Sequence, residues 1–264
     1  MRNPMPPPRA AIFWRIAWTL FVILLVESLV FGLAVLPAAL VFAFLNGWLP
    51  ASLWVLAPVF SLALAPSYIL FALGLMGWSA LAMQLTGART PPDSAMPIAE
   101  MGWPLMTWAR YLVASHLVRV AAGTIFKGSP IWSAYLRLNG ARIGRRVYVN
   151  TLSISDHNLL NLGDDVVIGA EVHLSGHTVE GGVVRTGRVR LGRGVTVGLG
   201  SVVGIDVEAG DRCQIGALSL VPKHSRLAPE AVYVGIPVVR IDHQPDHRPP
   251  VSRPNDGPSG PRLT

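Results

Sequence analysis

Residues 162–174 read LGDDVVIGAEVHL and residues 191–203 read LGRGVTVGLGSVV; between them the stretch SGHTVEGGVVRTGRVR, 175–190, breaks the pattern. Both flanks set an aliphatic residue before glycine or a small residue about every six positions. The same unit reads IGRRVY at Ile143, LGDDVV at Leu162, IGAEVH at Ile168, LGRGVT at Leu191 and VGLGSV at Val197. It continues as VGIDVE at Val203, IGALSL at Ile215 and VPKHSR at Val221, with AGDRCQ at Ala209 degenerate. A period of six, rich in β-branched residues and glycine, is poor helix material and suits short strands that turn at regular intervals. If three units make one triangular coil, the aliphatic first position stacks inside and the glycine permits the corner. The uninterrupted units supply about four coils.

Composition divides the chain. Of its 264 residues 51% are hydrophobic and 14% charged, with mean hydropathy +0.45, whereas a soluble domain carries about a quarter charged residues. From Ile16 to Ala88 the only formally charged side chain is Glu27. The apolar stretches Phe13–Leu45 and Leu53–Leu85, separated by NGWLPAS, each exceed the ~20 residues of a bilayer-spanning helix and are too long for a cleaved signal peptide. A straight helix of about 33 residues reaches about 50 Å against ~30 Å of hydrocarbon. Pro37, Pro58 and Pro66 therefore leave two or four crossings open. Either number returns the chain to its starting side, which Arg2, Arg9, Arg15 and Arg89 mark as cytoplasmic. Glu27, inside a span, is either a functional group or a hydrogen-bonded tie between helices.

The net charge of +7 and pI near 10.3 fit anionic lipid headgroups, because Arg110, Arg119, Lys127, Arg137, Arg142, Arg145 and Arg146 crowd beside the membrane segment. No nucleic-acid motif accompanies them. The single cysteine, Cys213, rules out an internal disulfide or a cysteine metal cluster and falls at a small, inward-facing repeat position. Four regions follow: a membrane hairpin at 1–88, an interfacial helical linker at 89–142, the repeat at 143–240 and a proline-rich tail at 241–264 expected to be disordered.

The run of [LIV]-G-x-x-[STAV]-x units and the ending VYVGIPVVRI resemble the hexapeptide-repeat acyltransferases over about 100 residues. The stretch GSPIWSAYLRLNGARIGRRVYVNTLSISDHNLLNLGDD resembles, more narrowly, the membrane-attached terminal domain of nonribosomal peptide synthetases of the poly-lysine synthetase group. The resemblance implies an all-β left-handed parallel β-helix after the helical membrane hairpin. It implies a homotrimer, and an acyl-CoA or other acyl thioester as co-substrate with no bound cofactor. It also implies a loop histidine acting as general base toward a hydroxyl or amine acceptor. His177, in SGHTVEGG, matches that loop, and an imidazole with a pKa near 6.5 suits the task. His173 ends a unit and either lines the same cleft or points to solvent. Asp156, Glu180 and Asp165 are the carboxylates available to orient the base, Asp156 equally readable as a turn residue. Gly198, Ser201, Gly216 and Ser219 would let a pantetheine arm approach the backbone, and Lys223 and Arg226 would meet coenzyme A phosphates. The glycines are needed by the repeat in any case.

The sequence thus reads as a multi-pass inner-membrane acyltransferase with its β-helix in the cytoplasm, in contact with lipid and not with nucleic acid. Two other readings stay open: a β-helix scaffold without chemistry, and a γ-carbonic-anhydrase-like zinc enzyme using His157, His173 and His177 at an unusual spacing.

Overall fold

The computed structural model describes residues 7–50 and 52–241. The proline-rich tail, apart from its first residue, and Arg2 lie outside the described residues. Each apolar stretch forms one helix, α1 (Arg9–Trp48) and α2 (Leu53–Thr86), and Pro37, Pro58 and Pro66 lie inside them without dividing them. Both are long and apolar enough to cross a membrane. They run antiparallel, with Phe31 against Phe71 and Phe42 edge-on to Phe60.

Their excess length has a use. The buried residues of α2 run from Ser67 to Met83, and those of α1 are Thr19, Val30 and Ala34; residues 35–48 and 53–66 bury none. The proximal halves are a platform on which the rest of the chain packs. α3 (Trp103–Val118) lies against both helices and runs into a π-helical turn at Arg119–Gly123. Tyr68 donates its hydroxyl to the Ala121 carbonyl at 2.9 Å, and Gln84 Nε2 donates to the Leu138 carbonyl at 2.7 Å. A short helix, Pro130–Leu138, starts with Ser129 as N-cap and proline at its first position. It closes the first coil by burying Trp132, Tyr135 and Leu136.

The repeat builds three parallel faces. Two-residue strands stack in register, Leu191 on Ala209 on Leu227 and Val197 on Ile215 on Tyr233. The spacing is 18 residues (191 to 209 to 227), three units to a coil. Four coils and the start of a fifth result, the last one closed by an antiparallel strand, Val239–Ile241. The degenerate unit at Ala209 keeps this register. First positions of the units, Leu162, Ile168, Val197, Val203 and Val221 among them, are buried. Each contributes about 1.5–3 kcal/mol through apolar area removed from water. The fifth position also points inward, and carries Val166, Val172, Val195, Val207 and Cys213, all fully buried.

The glycine has a different task from the one expected. The left-handed corner falls on the fourth residue of the unit, and polar side chains mostly occupy it: Arg146, Asp165, Glu171, Asp206, Arg212, His224 and Glu230 all have positive φ. The glycine at the second position sits where the next coil crosses. A Cβ on Gly198 would lie 2.5 Å from the Ala217 nitrogen. We therefore expect Gly198→Ala to destabilise the fold by about 1–3 kcal/mol through overpacking. Gly77→Ala in α2, with nothing within 4 Å, should leave the midpoint unchanged. Thermal unfolding of both variants in detergent checks this; equal midpoints would contradict it.

Candidate active site

Two departures from the 18-residue coil build the site. Leu162 and Leu191 are 29 residues apart, so eleven extra residues leave the stack. Ile143 and Leu162 are 19 apart, and the one extra residue falls around the 3₁₀ turn His157–Leu159. Both insertions leave the coil at neighbouring places, and there they touch.

The longer insertion is an ordered hairpin. His177–Glu180 pairs antiparallel with Val183–Thr186 through a turn at Gly181–Gly182, and a third strand, Ala95–Pro97, pairs with Val183–Thr186 from the other side. Thr186 Oγ1 holds the linker by donating to the Pro91 carbonyl and accepting from the Ser94 nitrogen. This clamp brings Thr90 and α3 against the shorter insertion.

Asp156, at φ 55, lies there with 0% exposure. Asp tolerates this left-handed conformation better than most residues. The approach is tight: a Cβ on Gly176 would lie 2.7 Å from the Asp156 Cβ, so the residue before His177 must be glycine. Asp156 Oδ2 meets His177 Nδ1 at 2.6 Å, while Oδ1 accepts from Thr90 Oγ1 at 2.6 Å and Trp108 Nε1 at 3.1 Å. Trp108 also sets its ring edge against the imidazole, 5.0 Å between centroids. Burial alone would raise the Asp156 pKa. The bond and charge of His177, with hydroxyl bonds from Thr90 and Ser155, hold it below its ordinary value instead. An ionised carboxylate therefore accepts from Nδ1, and the free nitrogen of His177 is Nε2.

His177, with 23% of its side chain exposed, lines a cleft of about 460 Å³ together with His173, Ile154, Trp132 and, from α3 and the π turn, Leu112, His116 and Arg119. Burial first, then the neighbouring His177 and Arg119, lower the His173 pKa. His157 backs the same wall but is 2% exposed and boxed by Tyr111, Trp132 and Tyr135. Its backbone nitrogen donates to the Tyr111 hydroxyl at 2.7 Å, and its Nδ1 is buried without a partner. Burial pushes its pKa down to about 4. Among the described residues no three His, Cys, Asp or Glu side chains converge on a metal position.

Other candidates are placed elsewhere. Glu180 does not reach the imidazole: the hairpin carries it to the turn, where both carboxylate oxygens accept from Lys223 Nζ at 2.5–2.7 Å. Asp165 pairs with Arg146 on a corner. Ser201 and Ser219 occupy inward fifth positions; Ser201 Oγ donates to the Gly216 carbonyl and accepts from the Ser219 nitrogen. Their hydroxyls are thus satisfied inside the coil, away from any donor groove. Gly198 and Gly216 are filled over by the coil that follows. Arg226 pairs with Asp206 and Glu208. Sequence reasoning missed Thr90, Trp108, Tyr111, His116 and Arg119, which lie 38 to 87 positions before His177. Their signal, polar side chains in an otherwise apolar helix, reads equally well as a membrane interface.

No family model matches the chain. Over 185 residues it is 25% identical to the delta-poly-L-ornithine synthetase of Acinetobacter baumannii, covering 69% of this chain and 14% of the synthetase. The chain thus spans about a seventh of that curated relative's length. Similar solved structures include a serine acetyltransferase from Neisseria gonorrhoeae (17% identity, TM-score 0.39, 66% of this chain and 55% of that one). Another is a hexapeptide-repeat acetyltransferase from Vibrio cholerae solved with acetyl coenzyme A (15% identity, TM-score 0.36, 44% and 77%). The relatives are of the kinds that the repeat and the stretch at 128–165 resemble.

His157 generates a prediction. The unfolded chain takes up its proton near pH 6.5, the folded chain only near pH 4. Between these values the unfolded state binds more protons, so stability falls as the pH drops from about 6.5 to about 4 and the loss levels off below. The gap corresponds to on the order of 3 kcal/mol. His157→Gln should flatten the melting midpoint across that window relative to the parent; parallel curves would count against the assignment.

Proposed function

We propose that the chain is a membrane-anchored acyltransferase that moves an acyl group from acyl-CoA or a similar thioester to an amine or hydroxyl, with His177 as general base. The observation that carries this reading is the 2.6 Å contact between His177 Nδ1 and the buried Asp156 at the wall of the cleft. Nδ1–H donates to the carboxylate, which fixes the tautomer, orients the ring and favours the imidazolium. His177 Nε2 removes the acceptor's proton as that atom attacks the thioester carbonyl. The tetrahedral intermediate collapses with cleavage of the C–S bond, and the imidazolium returns the proton to the departing thiolate. The amide or ester and the free thiol leave. Similarity to acetyltransferases, one of them solved with acetyl coenzyme A, supports a thioester donor.

Membrane anchoring is supported by the two apolar helices, whose unburied parts continue past the platform. Arg15 Nη1 donates to the Glu100 carbonyl at 3.2 Å. The basic end of the hairpin therefore lies against the linker and the β-helix, and the positive-inside rule assigns that end to the cytoplasm. We take the coil as left-handed and the assembly as a homotrimer, after the proteins it resembles.

Free thiol released from acetyl-CoA, measured on the full chain in detergent with lipid and amine acceptors, tests the reading. His177→Ala should lower transfer by about 10²–10⁴-fold. Asp156→Asn should lower it by a comparable factor, because a neutral amide no longer enforces the tautomer. A folded His177→Ala protein with unchanged transfer would sink the proposal, and no thiol release from any donor would favour a scaffold.

A further inference from the structure

The wall of the cleft opposite the β-helix has a charge that acyl transfer alone does not require. Arg119, half-buried at the start of the π turn, lines the cleft with His116, one turn before it on α3. Arg119 Nη2 lies 2.6 Å from His116 Nδ1. A guanidinium cannot accept, so Nδ1 accepts and His116 carries its proton on Nε2. The pair presents only donors. No carboxylate among the described residues pairs with Arg119, whereas Arg146, Arg190, Arg212 and Arg226 each have one. The lining of the cleft includes no Asp or Glu at all. The one nearby carboxylate, Asp156, is fully buried behind His177 and already shared by His177, Thr90 and Trp108. The positive charge also reaches the neighbouring imidazoles, since Arg119 helps to lower the pKa of both His157 and His173.

An unpaired guanidinium in a partly desolvated cleft is a ready partner for a planar or tetrahedral oxyanion. We propose that Arg119, assisted by His116, binds an anionic group of the acyl acceptor. The acceptor would carry a carboxylate or phosphate within a few bonds of the amine or hydroxyl that His177 deprotonates. The apolar side of the same cleft, formed by Leu112, Val113 and Leu117, then faces the rest of the acceptor. This inference rests on the acyl-transfer reading for the word acceptor, but the anion site is testable without turnover.

The test uses the full chain in detergent and probes sharing one skeleton: ethanolamine, L-serine, phosphoethanolamine and dihexanoyl phosphatidylethanolamine. Binding is measured by calorimetry in the absence of any donor. At least one anionic probe should bind about tenfold or more tighter than ethanolamine, a difference of roughly 1.4 kcal/mol. Arg119→Gln should bring that ratio to within roughly twofold, and Arg119→Lys should keep part of it. Preference for L-serine assigns the anion to a carboxylate. Preference for phosphoethanolamine assigns it to a free phosphate, and a further gain with the short-chain lipid assigns it to a lipid headgroup. No preference in the parent chain, or a preference that survives Arg119→Gln, overturns the proposal. His177→Ala should retain the preference. A chain that shows it yet releases no thiol refutes the transferase reading and leaves the anion site standing.

Discussion

A stack of 18-residue coils accepts extra residues only where the added chain leaves the stack and returns to the point it left, because every other residue is held by the coil above and below. That constraint places the functional chemistry. The first coil adds one residue around His157–Leu159 and the next adds eleven as the hairpin His177–Thr186, and the two excursions emerge side by side. The carboxylate of one and the imidazole of the other then meet at 2.6 Å. The coils between them supply rigidity without chemistry, as their satisfied inward hydroxyls and crowded glycines show.

The same surroundings give two adjacent stretches opposite electrostatic fates. His157 and Asp156 are neighbours in sequence and both are buried. Asp156 stays ionised because three donors converge on it, whereas His157 has aromatic rings around it and an unpartnered Nδ1, and so stays neutral to about pH 4. Burial penalises charge in both, and the count of hydrogen bonds decides which group overcomes it. Histidines equally plausible on paper are thereby separated: His157 is a core residue, His177 a half-open one with a free nitrogen.

The coil, the ejected loop and the candidacy of His177 were legible because each is a local, periodic signal or a break in one. Asp156 was legible only as an alternative to a turn residue, and it is both, since its left-handed backbone is what turns the carboxylate toward the hairpin. Glu180 was misplaced by proximity in sequence: strand geometry sends it to the hairpin turn, where Lys223 lies closer than His177 does. The unit's glycine was read as a corner residue when the need is for room beside the next coil. Thr90, Trp108 and Arg119 were not legible as site residues, because nothing periodic records how a strand at Ala95–Pro97 will join a hairpin some 80 residues later.

That same strand sets an order of events. The bonds that complete the site join Thr90 to Asp156 and Ser94 to Thr186, separations of 66 and 92 residues. Closing such loops is slow compared with forming a helix or a single coil. The linker emerges from synthesis after both apolar helices and before the hairpin. By the time Val183–Thr186 exists to pair with it, Ala95–Pro97 has already been tethered to the helical platform. The imidazole is thus locked onto its carboxylate last, after the anchor is in place. A chain whose helices have not come together has its coil but not its catalytic pair, which makes assembly on the platform a checkpoint for chemistry.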